Sequence, residues 1–272
     1  MSEIKDIYRN LLLGCLGAKD GERFLVVTDD LKEEIAQPMY EAAKGLKLSA
    51  MLLKISDMKR SGEEPPKAVA EAMKHSDIVV CITEYSLTHT RAKKEAAAAG
   101  ARIATMPGIT KDMLLKGAIT ADFTNVEKMT KKVAEILTHG SEATIEKDGC
   151  RLKMSIEGRN GIESTGRYLE RGQSGNLPSG EAYIAPVEGT CHGEIVVDGS
   201  IVGIGKLKSP IVLSIDKGLL VDARGEGAKE WLKILGDSEA ARNVAEFGVG
   251  TNDKAMLTGN ILEDEKIYGT IH

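Results

Sequence analysis

Five histidines and four cysteines are the side chains of this 272-residue sequence best suited to ligating a metal or acting as nucleophiles. Their spacing excludes the commonest arrangements. Cys15, Cys81, Cys150 and Cys191 lie far apart with no CxxC pair, so neither a disulfide framework nor a cysteine zinc site is expected. Cys81 sits within Ile78-Val79-Val80-Cys81-Ile82 and reads as a small buried thiol. No two histidines are close in sequence, and no H-E-x-x-H occurs. His75 and His139 fall where helices should end and suit the dipole there. His192 precedes a hairpin and reads as a surface residue. His89 differs, because it follows the carboxyl end of a predicted strand, the edge at which open α/β sheets bind ligands. It is a candidate substrate contact.

Nucleotide chemistry finds no support. The first predicted strand is followed by Thr28-Asp29-Asp30 rather than G-x-G-x-x-G, and no P-loop follows any strand. No dinucleotide or nucleotide cofactor is expected. Gly225-Glu226-Gly227 reads as a turn opening a helix. With a formal net charge of -5 and no basic patch, the chain offers no footprint for nucleic acid. The N-terminus, MSEIKDIYRN, has no apolar signal core, and no apolar run approaches the ~20 residues of a membrane helix. A cytoplasmic protein without membrane partners is expected.

The elements that must position any site divide into two kinds. In the first half, apolar runs at Phe24–Val27, Met51–Ile55, Ile78–Ile82 and Ile103–Met106 alternate with helical patterns. Ile35, Met39, Ala42 and Leu46 recur at helical spacing, with Pro38 expected to kink or restart that helix. Ala92 to Ala99 is a second helix, closed by Gly100. Val126, Met129, Val133 and Ile136 mark one face of a long helix ending at Gly140. Strand-helix alternation of this kind predicts a parallel, Rossmann-like sheet covered by helices. After about residue 142 the period changes to two. Asp148-Gly149 signals a hairpin, Ile195–Val197 should meet Ile201 across Asp198-Gly199, and Val212–Ile215 should meet Leu219–Val221 across Asp216-Lys217-Gly218. Helices are expected over Ala228–Leu235 and roughly Ser238–Glu246. The predicted organisation is α/β: an N-terminal parallel-sheet domain over residues 1–142, then an α+β domain over 143–272 rich in antiparallel hairpins. With aromatics at only 4% of residues, both cores must be built from aliphatic side chains and methionine.

Three segments of the second half stand out together: Asn176-Leu177-Pro178-Ser179-Gly180-Glu181-Ala182-Tyr183-Ile184-Ala185-Pro186, Ala245-Glu246-Phe247-Gly248-Val249-Gly250-Thr251-Asn252, and Glu263-Asp264-Glu265-Lys266-Ile267-Tyr268-Gly269-Thr270-Ile271-His272. In this order and at these separations the chain resembles the aminopeptidase T/S family of metallopeptidases, and within it the shorter prokaryotic members labelled leucyl aminopeptidases. The run from Ser86 through His89-Thr90 to Met106-Pro107-Gly108 agrees, so the resemblance covers nearly the whole sequence. It implies a metal site in the second domain with Glu181, Glu246 and His272 as ligands, holding two divalent ions such as zinc, cobalt or manganese. Such a pair can activate a bridging water against a peptide bond. A metal-dependent aminopeptidase acting on peptides, as a homodimer, is the function implied, with no catalytic side chain assigned. Members of that family continue beyond this histidine with a His-x-Asp-type element, so the chain as it stands is expected to carry an incomplete site that binds metal weakly or not at all. Glu263, Asp264 and Glu265 form either a surface turn or a contact to a substrate amine. Some relatives resemble ring-cleaving dioxygenases that use one ferrous ion, and this is the alternative function. A non-catalytic family member is the third reading.

Overall fold

The computed structural model describes residues 2–272. Its strands, in chain order, are β1 (Arg23–Asp29), β2 (Ser49–Ile55), β3 (Ile78–Ile82), β4 (Arg102–Thr105), β5 (Glu142–Lys147), β6 (Cys150–Ser155), β7 (Ile162–Ser164), β8 (Ser174–Asn176), β9 (Glu181–Ile184), β10 (His192–Val197), β11 (Ser200–Ile201), β12 (Gly205–Lys206), β13 (Ile211–Asp216), β14 (Leu219–Arg224) and β15 (Phe247–Gly250). They fall into two compact units. The first comprises Met1–Glu127 with Gly166–Ser179, and the second Lys128–Thr165 with Gly180–His272. From Glu142 onward the strands pair antiparallel, except β8, which belongs to the first unit.

The first unit is the expected α/β layer. Its five strands run parallel in the order β2-β1-β3-β4-β8. Every residue of β3 and β4 is buried; β3 therefore reads as an unbroken apolar run rather than an alternating one, while β4 buries Arg102 and Thr105 at either end of Ile103-Ala104. Leu25, Val27, Val79, Cys81 and Ile103 from the sheet pack with Val69 and Met73 of helix Lys67–Lys74 and with Ala92 and Ala96 of helix Arg91–Ala98. Thr90 caps the latter, accepting the amide of Lys93 at 3.3 Å. Two expectations change here. Pro38 lies inside one uninterrupted helix, Glu33–Gly45. The missing amide removes one hydrogen bond, but Ile35, Ala36, Met39, Ala42 and Ala43 keep a continuous buried face on both sides of it. The fifth strand, β8, was not anticipated, because Ser174-Gly175-Asn176 has no apolar signature and is placed by pairing with Ile103–Thr105 alone.

The second unit holds a five-stranded antiparallel sheet, β14-β13-β10-β6-β5, a three-stranded sheet, β15-β9-β7, and the small pair β11-β12. The hairpins at Asp148-Gly149 and Asp216-Lys217-Gly218 form as expected. The hairpin across Asp198-Gly199 does not. β10 pairs with β13 along Gly193–Val197 and with β6 only at His192 and Gly193, while Ser200–Ile201 pairs with Gly205–Lys206 instead. The helix expected up to Glu246 is only Glu239–Arg242, and Phe247–Gly250 is a strand. Ala143, Leu152, Met154, Ala182, Ile184, Ile215 and Phe247 form the aliphatic core of this unit with Ala134 and Leu137 of helix Phe123–His139. No described helix is long and apolar enough to cross a membrane.

The starts of β1 and β3 are tied by one carboxylate. Asp77 accepts from the Arg23 amide at 2.9 Å and from both ends of its guanidinium at 3.0 and 2.8 Å. These bonds from Arg23 hold the Asp77 carboxyl down at about 2, against an ordinary 3.8. The folded value lies below the unfolded one, so the pair stabilises fully above 3.8 and its contribution is lost as the pH falls through about 2. Arg23 is half-exposed, which limits the effect. Asp77→Asn is expected to lower unfolding free energy by about 1 kcal/mol at about pH 7 and by clearly less at about pH 3. Urea unfolding at the two pH values measures both.

Candidate metal centre

The site lies wholly in the second unit and is built on a glycine strand. Glu181 opens β9, the central strand of the three-stranded sheet, opposite Ser164 of β7 and Gly250 of β15. The segment after Gly269 runs back along β15. Gly269 donates its amide to the carbonyl of Gly250 at 2.9 Å, Gly250 to that of Thr270 at 3.0 Å, Gly248 to that of His272 at 2.8 Å, and His272 to that of Gly248 at 3.1 Å. These bonds fix the backbone of His272. Its ring then occupies the space that a side chain at Gly248 would fill, since a Cβ there would stand 2.1 Å from Nε2. At Gly250 a Cβ would stand 2.0 Å from the Ile267 carbonyl oxygen. The two glycines let the returning chain approach closely enough to place imidazole against carboxylate.

Glu181 is nearly buried, at 7% exposure, and Lys266 is completely so. Lys266 donates to Glu181 Oε1 at 2.7 Å and also contacts Glu265 Oε1. On the other side, His272 Nε2 stands 3.1 Å from Glu181 Oε2 and 3.8 Å from Glu246 Oε1. Neither Glu181 Oε2 nor either ring nitrogen of His272 has a hydrogen-bond partner. Burial alone would raise the Glu181 carboxyl, but the His272 ring and the Lys266 ammonium together hold it below its ordinary value. Partial burial, then the nearby charge of Glu181, pushes Glu246 up.

Glu181, Glu265 and His272 can each bring one ligand atom within 4.8 Å of the others. Orphaned, buried donor atoms that face one another are what a metal ion would satisfy, and imidazole with carboxylates is a donor set that iron, zinc, cobalt or manganese accepts. The residues therefore fit a divalent ion. Of the residues anticipated from sequence, Glu181 and His272 come together, and Glu246 stands at the edge of the group, half-exposed. His89 is exposed in the first unit, just before helix Arg91–Ala98.

Lys266 was not singled out, and Glu265 was read only as part of an acidic turn or substrate contact, although both stand in the third recognised segment. The signal that joins them is a fully buried lysine beside a partly buried acid, which sequence does not display. The acidic run itself is neither a surface turn nor a substrate contact throughout. Glu263 and Asp264 are buried. Asp264 accepts from the amides of Thr258 and Gly259 at 2.7 and 2.8 Å, and Glu263 from that of Met256 at 3.1 Å. They hold the loop before helix Ile261–Asp264, leaving Glu265 alone to face the site. A cavity of about 380 Å³ opens beside Glu265 and His272, walled by Ile145, Ile195, Val197 and Leu257.

The chain thus combines an α/β unit with an antiparallel unit that carries a carboxylate–imidazole cluster able to hold a divalent metal. The chain belongs to the NicX family, described as 2,5-dihydroxypyridine 5,6-dioxygenase, whose family model it matches over residues 3–270. Its fold is that of the 2,5-dihydroxypyridine dioxygenase of Pseudomonas putida KT2440, with a TM-score of 0.79 at 17% identity over 97% of this chain and 83% of that one. It also resembles AmpT from Thermus thermophilus, with a TM-score of 0.70 at 14% identity over 99% of this chain and 84% of that one. A search of curated protein sequences found no match. The family membership overturns the aminopeptidase and hydrolase reading of the three segments. Proteins of both names share this fold, and a fold does not fix the reaction. The expected pair of ions is likewise not established. What stands is one cluster able to hold a divalent metal.

Gly248→Ala is expected to push the His272 ring away from Glu181 while leaving the sheet paired. Affinity for divalent metal should fall by about 10–100-fold, the range seen when a ligand loses its support. Titration with cobalt(II), followed by visible absorption, measures the loss.

Proposed function

We propose that this protein is a dioxygenase that holds one ferrous ion and opens a dihydroxylated aromatic ring, of which 2,5-dihydroxypyridine is the first candidate. The observation that carries the reading is the family match, which spans residues 3–270 and therefore includes Glu181, Glu246 and Glu265. The chemistry of the cluster supports it. One imidazole and two carboxylates on a single locus suit a hard, redox-active divalent ion with positions left for substrate and oxygen. Bound iron supplies the means of joining a ring and molecular oxygen, a step that otherwise is slow.

The reaction balances without a further reductant. The bond between ring carbons 5 and 6 breaks, and each carbon receives one atom of the same oxygen molecule. The chain's own residues provide the setting. Glu181, Glu265 and His272 hold the ion. The cavity beside them sets the aliphatic side chains of Ile145, Ile195, Val197 and Leu257, suited to the faces of a flat ring, among polar ones that include Glu146, Lys147 and Asp198. Glu246, half-exposed and raised above its ordinary carboxylate range, stands 3.8 Å from His272 Nε2, placed to exchange a proton with a ring hydroxyl.

Protein loaded with ferrous iron without air and then given 2,5-dihydroxypyridine and oxygen should consume the two in equal amounts, as the ring's near-ultraviolet band disappears. Glu181→Ala and His272→Ala should abolish iron retention and oxygen uptake together. Hydrolysis of a leucine anilide by a zinc-loaded sample, with no oxygen uptake by the iron-loaded one, would refute the proposal.

A further inference from the structure

We propose that Lys266 is a positioning residue of the metal centre, holding Glu181 so that it meets the ion through a single oxygen. The inference rests on the metal-site reading above and concerns how that site is shaped. Lys266 is a fully buried lysine, and its ammonium is aimed at two carboxylates that belong to the candidate ligand group. Burying an unpaired ammonium is strongly unfavourable, so its position must be dictated by these contacts. The main chain is equally constrained. The Lys266 amide donates to the Glu263 carbonyl at 3.0 Å, and its carbonyl accepts from the amide of fully buried Asn252 at 2.9 Å. The ammonium is therefore held at a fixed point relative to β9 and β15.

The consequence falls on Glu181. Oε1 is taken by Lys266 at 2.7 Å. Oε2 is left without a hydrogen bond and stands 3.1 Å from His272 Nε2. One oxygen is anchored and the other is presented beside the imidazole. A Glu181 that chelated the ion with both oxygens would have to release the ammonium into a buried place with only Glu265 to pair with it. Glu265 gives Lys266 one oxygen in the same way. Lys266 thereby keeps both carboxylates from closing around the ion and preserves open coordination positions, which a ring-opening site needs and a purely structural metal site does not. A lysine that served only as a counter-charge would stabilise the fold without influencing how Glu181 binds metal.

Cobalt(II) bound to the wild-type protein is the probe. Its visible d–d bands weaken and shift as the coordination number rises. Wild type and Lys266→Arg, which keeps a donor to both carboxylates, should give the same bands. Lys266→Met should give weaker, shifted bands as Glu181 binds through both oxygens. An unchanged spectrum in Lys266→Met would overturn the proposal. Should Lys266→Met fail to fold, by circular dichroism of the metal-free protein, infrared difference spectra of wild type with and without cobalt decide instead. A wide separation of the two carboxylate stretches, absent in Glu181→Gln, supports one-oxygen binding, and a narrow one overturns it. If the wild type takes up no cobalt, the metal-site reading fails and this inference with it. If cobalt binds and the spectra are insensitive to Lys266, only this inference fails.

Discussion

The second unit depends on one buried interaction, the ammonium of Lys266 set between the carboxylates of Glu181 and Glu265. Taken singly, each of these groups would be costly to bury. The idealised penalty for moving one ion into a low-dielectric interior is on the order of 20 kcal/mol, and several kcal/mol remain after relaxation. Together they are compatible with burial, because attraction and hydrogen bonding grow as the surroundings become less polar. The balance is incomplete by design. Two carboxylates, those of Glu181 and Glu265, meet one ammonium, and a third, that of Glu246, stands by the His272 ring. Acids outnumber the lysine and sit beside orphaned donor atoms. A divalent cation would answer both the charge and the missing contacts.

Such a cluster needs main chain that can come very close. β15 supplies it by alternating glycine with larger residues, Phe247-Gly248-Val249-Gly250. Phe247 is buried in the core, while the glycines face the returning segment 269–272 and the carbonyl of Ile267. Strand periodicity accounts for this division, since successive residues point to opposite sides. One side of β15 is thus a packing surface and the other an empty channel into which the His272 ring fits. The backbone bonds between Gly248 and His272 make the imidazole a component of the sheet rather than a loose chain end. Asp264 plays the corresponding part on the far side, collecting the amides of Thr258 and Gly259 so that Glu265 and Lys266 emerge from a fixed turn.

Much of the first unit was legible because its central strands carry apolar runs. Phe24–Val27 and Ile78–Ile82 announce themselves by hydrophobicity, and the alanine-rich helix Arg91–Ala98 by composition and its Thr90 cap. β8 was illegible for the opposite reason: Ser174-Gly175-Asn176 contributes main chain to the sheet edge and little else. In the second unit the tight turns carried clear signals, but partner choice did not. Asp198-Gly199 is a sound turn sequence, yet Ile195–Val197 pairs with β13 and Ser200–Ile201 with β12. The site was half readable. Glu181 and His272 were reached through the resemblance of their segments to a metallopeptidase family, and their residue types alone did not single them out. Glu265 and Lys266 lie in a run of four charged residues, where the pattern is that of a solvated turn and only tertiary structure distinguishes the two buried acids that brace a loop from the one that faces the metal centre.

The misreading of function has a physical origin as well. Segments bearing Glu181, Glu246 and His272 record the demand for a cation and for close-packed strands around it, and that demand is the same whether bound metal activates water or oxygen. The difference between hydrolysis and ring opening lies in what stays free around the ion and in what can lie against it. How many carboxylate oxygens are free to meet an ion, which side chains line the adjoining cavity, and which acid stands at its margin are properties of packing and charge in three dimensions. Ile145, Ile195 and Leu257 come from parts of the second unit separated by more than a hundred residues of sequence between the first and the last. No local motif could carry that information. The family match reads the chain as a whole, which is why it separates chemistries that the three segments, taken by themselves, leave together.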